Sequence, residues 1–500
     1  MTHLASMNSV PEMFRAIAQE NADRIAVVDG SYTVTYGQLE DQVGSLAAVL
    51  AARGVRLGDR VGLMLPNSLG FVLAYRAIIA LGAIVVPLNE RYQQTELLYF
   101  LEECGISALI TCQQFAQLCR RVLEQYAAPC SLLLIEDHQP GTSHDVPRPL
   151  PFPAQIDADA PLMYQFSSGS TGRPKQIART HRNLIDELDS LTQTLGMTNE
   201  DRVIGLAPFS HVNGLVRSML ASQTAGATLY PLAKFERRAA AQTIDQQGIT
   251  IFIAVPFMFS MLAQGRPRRQ ASFSSLRFAV SSSAPMPEKH NRLFHQRFGM
   301  YVRQLYGSTE TGTISVNLSQ DIAHSLASVG TPIRGVEVEV FADSGRPANV
   351  GEMGEFAVKS RHMVSGYTGR EDLNREVFRN GYFFTGDLGT RDENGLLYLV
   401  GRKKWFINRA GFKIDPREIE ELLESHPKVS EAVVLGVPTP YGDEKVKAVI
   451  VPTAPLSAEE VVALCTGKIA DFKVPSVVEF RDSLPKSPTG KIRRAMLLGE

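Results

Sequence analysis

Residues 164–176 read YQFSSGSTGRPKQ. The segment groups the hydroxyls of Ser167, Ser168, Ser170 and Thr171 around Gly169 and Gly172 and ends on Lys175. Glycines let backbone N–H groups converge on an anion, and the hydroxyls and ammonium add donors, so this composition suits phosphate. It is not the common loop GxxxxGK[ST]. Arg173 and Pro174 separate Gly172 from Lys175, and Gln176 stands where a magnesium-binding hydroxyl would follow. The GxGxxG spacing of a kinase loop is also missing. Taken alone, the string reads equally as a flexible surface turn.

Outward from this stretch, the chain alternates helix-like and strand-like segments. YGQLEDQVGSLAAVLAARG carries apolar residues at helical spacing, while RVGLMLP, GAIVVPLN, SALIT, SLLLIED, GITIFIAVP and LRFAVSSS are short apolar runs ending in turn residues. That rhythm predicts layered α/β structure. HQPGTSHDVPRPLPFPAQ reads as a surface linker. After about Ser328, VEVEVFAD, GEFAVKS and GLLYLVGR predict a small antiparallel β unit. Next, Asp415 can cap a helix with Pro416 at its first position, and the strand EAVVLGV follows. The expected fold is therefore α/β, with a large N-terminal domain of layered subdomains plus a small β unit, and a small mobile α+β C-terminal domain.

Composition excludes some classes of function. With 500 residues, 44% hydrophobic and 21% charged, the chain is an ordinary globular sequence of more than one domain. A formal net charge of -1 provides no long-range field, so neither nucleic acid nor an anionic membrane surface is an expected partner. No run is apolar and long enough to span a bilayer, and the start lacks a signal-like pattern. The five cysteines lack CxxC spacing, so free thiols and a cytoplasmic location are expected.

Seven further motifs follow in order: APFSHVNG (207–214), SSSAPMP (281–287), QLYGSTETG (304–312), YFFTGDLG (382–389), LVGRKK (399–404), GFKIDPREIE (411–420) and PKSPTGKI (485–492). Together with YQFSSGSTGRPK they resemble the adenylate-forming superfamily, which includes acyl-CoA synthetases, nonribosomal-peptide adenylation domains and firefly luciferase. Within that superfamily the chain is most similar to stand-alone acyl- or aryl-CoA ligases. The resemblance covers nearly the whole chain.

It implies a reaction in two halves. A carboxylate attacks the α-phosphorus of ATP, giving an acyl-adenylate and pyrophosphate, and a thiol then displaces AMP. In that scheme Ser167, Ser168, Gly169, Ser170, Thr171, Gly172 and Lys175 hold the outer phosphates, Glu310 is the Mg2+ ligand and Thr309 meets the α-phosphate. Ser283, Ala284, Pro285, Tyr306, Gly307 and Ser308 frame the adenine side, with Asp387 on the ribose hydroxyls and Arg402 on ribose or phosphate. Lys491 bridges the attacking carboxylate and the α-phosphate. Domains are expected at 1–401 and 405–500 about a hinge at 402–404, with Lys404 as the swivel. Rotation withdraws Lys491 and presents Gly411 at the thiol channel. His211 matches a position between acyl pocket and channel. None of the cysteines is required as a nucleophile.

The expected acyl pocket is Val212, Asn213, Val255, Phe257, Ser281 and Gly312. SHVNGLV holds no acid to meet an ammonium, so an amino acid is disfavoured and an aryl or short-to-medium aliphatic carboxylic acid is expected. Arg217 is read either as a partner for a second carboxylate or as a solvent-facing helical residue. Departures from the family pattern are Gln176, Ser282 with Ser283, and Asn408. The acceptor is expected to be coenzyme A. One alternative is the phosphopantetheine of a carrier protein acting in trans, and another is a degenerate homologue that binds nucleotide without reacting.

Overall fold

The computed structural model describes residues 7–135, 156–167, 174–265, 272–342, 344–402, 407–485 and 494–498. Segment 138–155, read as a linker, lies outside them. The N-terminal part is built on two large sheets covered by helices. In the first, strands run in the spatial order Ser131–Leu134, Ala108–Thr111, Arg60–Met64, Ile84–Pro87, Pro161–Ser167, Lys175–Thr180. These pairs are parallel except the last, which is antiparallel and brings Ser167 opposite Lys175. The second sheet has Arg202–Gly205, Thr228–Pro231, Ile251–Ala254, Phe278–Ser281 and Arg303–Ser308 in parallel register, with antiparallel Gly312–Val316 on one flank.

Local sequence explains the elements between them. Thr35 and Gln38 form a reciprocal cap on the helix Tyr36–Ala52. The helix Leu69–Ala80 is almost wholly buried and apolar apart from Arg76, which pairs with Glu40, and Ser68 caps it. One core of buried side chains, including Phe14, Phe71, Tyr75 and Leu188, joins the helices to both sheets.

The β unit is a five-stranded antiparallel sheet containing Val336–Phe341, Gly354–Ser360, Tyr382–Arg391 and Leu397–Arg402. The next described strand starts at Ile407. The tail consists of the hairpin Ile407–Arg409 and Phe412–Ile414, the helix Pro416–Glu424, and a three-stranded sheet of Val429–Pro438, Glu444–Pro452 and Val477–Phe480. It has its own core around Ile414, Ile419, Leu423, Val434 and Ile450. The fold is thus a large α/β N-terminal domain and a small α+β C-terminal domain. No helix among the described residues is long and apolar enough to cross a membrane. Of the cysteines, Cys104, Cys112, Cys119 and Cys465 are buried, and burial raises the Cys119 and Cys465 thiols to about 11.

Candidate active site

A cavity of about 160 Å³ opens where the tail meets the ends of the two large sheets. Its wall joins Ser167, Ser283, Gly307, Ser308, Thr309 and Glu310, expected on the nucleotide side, to His211, Val212, Asn213, Arg217 and Val255. The tail closes it with Ala410, Gly411 and Phe412. Residues from five distant motifs therefore share one wall.

Strand ends place these groups. Tyr306 lies on the strand Arg303–Ser308, and its hydroxyl donates to Asp387 Oδ2 at 2.6 Å. Across the antiparallel pair, Asp387 faces the backbone of Arg402. Ser283 follows the strand Phe278–Ser281 with φ at 76°, a conformation that favours glycine. Glu310 is buried and accepts a hydrogen bond from the Tyr367 hydroxyl at 2.7 Å. Lys175 stands over the Tyr367 ring, 4.6 Å from its centre. Asn374 clamps Tyr367 by accepting from its N–H and donating to its carbonyl. Sequence reasoning missed Tyr367, since nothing local in SGYTG marks a phenol that reaches back 57 residues.

The donor set fits magnesium. Among the described residues no group of three or more His, Cys, Asp or Glu side chains could cage a metal. A single buried carboxylate suits an ion that keeps its waters and takes its other oxygens from phosphates.

His211 accepts from the Asn89 amide at Nε2, 3.3 Å away, which leaves its proton on Nδ1. Asn89 is oriented for this because its oxygen accepts from the Arg91 N–H. Burial, with Lys473 adding to it, lowers His211 to about 4, and burial does the same to His181. Both are neutral at pH 7, so the unfolded chain binds these protons first as the pH falls. Their contribution to stability is complete above about pH 6.5 and is lost towards pH 4. The thermal midpoint should fall across this interval in a pH series of melting scans, and a flat midpoint would contradict their buried neutral state.

Of the other expected pocket residues, Phe257 packs edge-on against Phe235 in a separate core. Gly312, with φ at 68°, lies against Glu187, and Ser281 is buried behind the wall. Ala284 and Pro285 are not part of the cavity wall. Arg217 is buried and faces the cavity, not solvent. Gln176 is buried in its strand and its carbonyl accepts from the Thr368 N–H, and Asn408 donates its N–H to Glu444. Ser168, Gly169, Ser170, Thr171, Gly172, Lys404 and Lys491 lie outside the described residues, as does the side chain of Arg402.

The tail is docked by buried charge. Lys473 Nζ donates to Glu96 of the N-terminal part at 2.8 Å and to Glu418 of the tail at 2.9 Å. Burial opposes its charge, but Glu418 and Glu96 outweigh that and hold the ammonium protonated. Arg91 pairs with Asp471, and Phe412 stacks on Phe472 with ring centres 4.0 Å apart. The Phe412 ring also meets His211 edge-on at 4.9 Å.

Comparison with known proteins gives two family matches: AMP-binding enzyme over residues 14–368 and AMP-binding enzyme C-terminal domain over 418–491. A sulfoacetate–CoA ligase of Cupriavidus necator is 33% identical, covering 98% of both chains. A feruloyl-CoA synthase of Amycolatopsis is 33% identical over 93% of this chain and 94% of its own. Among solved structures, o-succinylbenzoate CoA synthetase (MenE) of Bacillus subtilis is 29% identical over 98% of both chains. A double mutant bound with a product analogue, OSB-NCoA, overlays at a TM-score of 0.89. The same enzyme with its acyl-adenylate, OSB-AMP, overlays at 0.72 with the same coverage.

Proposed function

This chain belongs to the AMP-binding enzyme family, and from that premise we propose that it is an AMP-forming acid–thiol ligase. It activates a carboxylic acid with ATP and passes the acyl group to coenzyme A. One observation carries the reading: nucleotide-side residues, an acyl pocket and the Ala410–Gly411–Phe412 loop of the tail wall a single cavity. A thiol entering past the loop would meet an acyl group held beside the nucleotide.

The chemistry is electrostatic, because two anions must approach before a bond forms. Thr309 orients the α-phosphate, Asp387 accepts from the ribose hydroxyls and Tyr306 offers the adenine an aromatic face. Glu310, steadied by Tyr367, would hold magnesium, which when bound neutralises phosphate charge. Lys491 delivers the cation that lets the carboxylate reach the α-phosphorus. Neutral His211 cannot add positive charge, and it borders the route from Phe412 to the acyl pocket.

A single placement of the tail cannot serve both halves. The observed placement has the Gly411 loop in the cavity wall, and it overlays better on the relative bound with its product analogue, OSB-NCoA, than on the relative with its acyl-adenylate. These facts support a tail of 405–500 that turns about 402–404, with Lys404 as the swivel, against a body of 1–401.

Carboxylate-dependent ATP–pyrophosphate exchange over an acid panel tests the first half, with CoA-dependent AMP release testing the second. Release driven by a phosphopantetheinylated carrier and not by CoA would replace the acceptor. No exchange with any acid would replace the reaction itself.

The Lys473–Glu96 contact bears on the same mechanism. Glu96→Gln should weaken the docked placement while Glu418 still neutralises the lysine within the tail. Single-turnover thioester formation should slow about tenfold, the equivalent of about 1.4 kcal/mol, without a loss of adenylation. An equal slowing of both halves would show that the ion pair does not select a placement.

A further inference from the structure

Arg217 is a charged side chain embedded in the wall of the acyl pocket with one face left open. Its Nε donates to Thr313 Oγ1 at 3.1 Å and its Nη1 to Ser282 Oγ at 2.7 Å, both neutral partners. Nη2 is bonded to no described residue and lies against Gly307, where a Cβ would come within 2.2 Å of it. Glycine at 307 is therefore what admits the guanidinium to this place. Ser282 supplies the hydroxyl that holds it.

The charges around Arg217 do not balance. Among the described residues Glu187 is the one carboxylate that acts on it, and that acid is already committed to Arg179 at 2.5 Å, with both side chains fully buried. Glu187 also accepts from the Thr313 N–H at 2.8 Å and hydroxyl at 3.0 Å. Burial lowers Arg217 to about 10, against the pull of Glu187, which still leaves it charged at pH 7. Two guanidiniums with one carboxylate leave one positive charge in excess, in surroundings where an uncompensated charge is costly.

A second feature points at a ligand. Asn213 lines the same cavity and is 6% exposed, yet among the described residues neither its amide nitrogen nor its oxygen has a hydrogen-bond partner. Buried amides without partners are rare, and this one stands four residues before Arg217 on the same helical stretch.

We propose that Arg217 and Asn213 receive a second anionic group of the substrate, so that the acid activated is a dianion carrying a carboxylate or sulfonate opposite its reacting carboxylate. This rests on the acid-activating reading above and narrows it. The guanidinium and amide bind the distal anion, and Ser282 and Thr313 position the guanidinium.

The test compares acids matched in length. Succinate, glutarate and 3-sulfopropionate are set against butyrate, monomethyl succinate and benzoate, by ATP–pyrophosphate exchange and by calorimetric binding to ATP-loaded protein. The wild-type enzyme is expected to favour a dianion over its half-ester by about 100-fold in kcat/KM, mainly through KM, because a neutral group leaves the buried guanidinium unpaired. Arg217→Met should collapse that ratio towards one, and Arg217→Lys should restore part of it. Whichever dianion binds best separates carboxylate from sulfonate. If butyrate and benzoate work as well as the dianions, or if Arg217→Met lowers all acids equally, the inference fails while acid activation stands. If no acid supports exchange but dianions still bind selectively and lose that selectivity in Arg217→Met, the inference stands and the reaction fails. The wild-type comparison needs no variant to fold.

Discussion

Lys491→Ala should reduce carboxylate-dependent ATP–pyrophosphate exchange by about 100-fold or more, while thioester formation from supplied acyl-adenylate changes by less than about threefold. Joining a carboxylate to a polyphosphate needs a cation at the point of attack. Among the described residues Arg217 is the only cation in the cavity wall, and its hydrogen bonds fix it on the acyl side. Neutral His211 cannot substitute for it. On the proposed reading, Lys491 in SPTGKI supplies that charge from the tail. The second half begins from an adenylate whose phosphorus has already been attacked, so it does not need that ammonium. Separate assays of the two halves with purified adenylate check the split, and a matched loss in both would show that Lys491 serves structure or binding throughout.

The complementary lesion is at Gly411. Its φ is 85°, following Ala410 at 49°, and a Cβ built on it would lie 2.5 Å from Val255 Cγ1. A side chain there both strains the backbone and drives the loop off the cavity wall. Gly411→Leu should lower thioester formation about 100-fold and leave pyrophosphate exchange within about threefold of wild type, because in the proposed scheme adenylation uses another placement of the tail. Adding Val255→Ala to the milder Gly411→Ala should recover part of the loss, since it removes the clash but not the strained φ. A Gly411→Leu enzyme that makes thioester at the normal rate would remove the loop from the channel.

The sequence was informative where function is written locally. Motif order marked the family, and the strands around RVGLMLP, GITIFIAVP and VEVEVFAD could be read because apolar runs between turn residues have few other uses. Contacts across the fold were not legible. Lys473 and Glu96 are 377 residues apart, and Tyr367 meets Glu310 through a phenol on a loop that carries no motif. Arg217 shows a different limit. The helix beginning at Val212 passes into a π-helical turn over Leu215–Leu220, so a reading based on 3.6 residues per turn misplaces the face of each residue in it. That turn rotates into the pocket a residue whose neighbours in NGLVRSML left both faces open. Phe257 went the other way: its apolar ring suited a pocket wall but found a partner in Phe235 behind it.

The central claim is that one tail serves two reactions from two placements, and a cross-link at the docked interface tests it most directly. Gly442 of the tail touches Pro287 of the body, where a Cβ on Gly442 would lie 2.3 Å from the proline Cγ. With both positions changed to cysteine and oxidised, the account predicts that pyrophosphate exchange falls by about 100-fold, that supplied acyl-adenylate is still converted to thioester, and that reduction restores exchange. An oxidised enzyme that catalyses both halves at undiminished rates would contradict it.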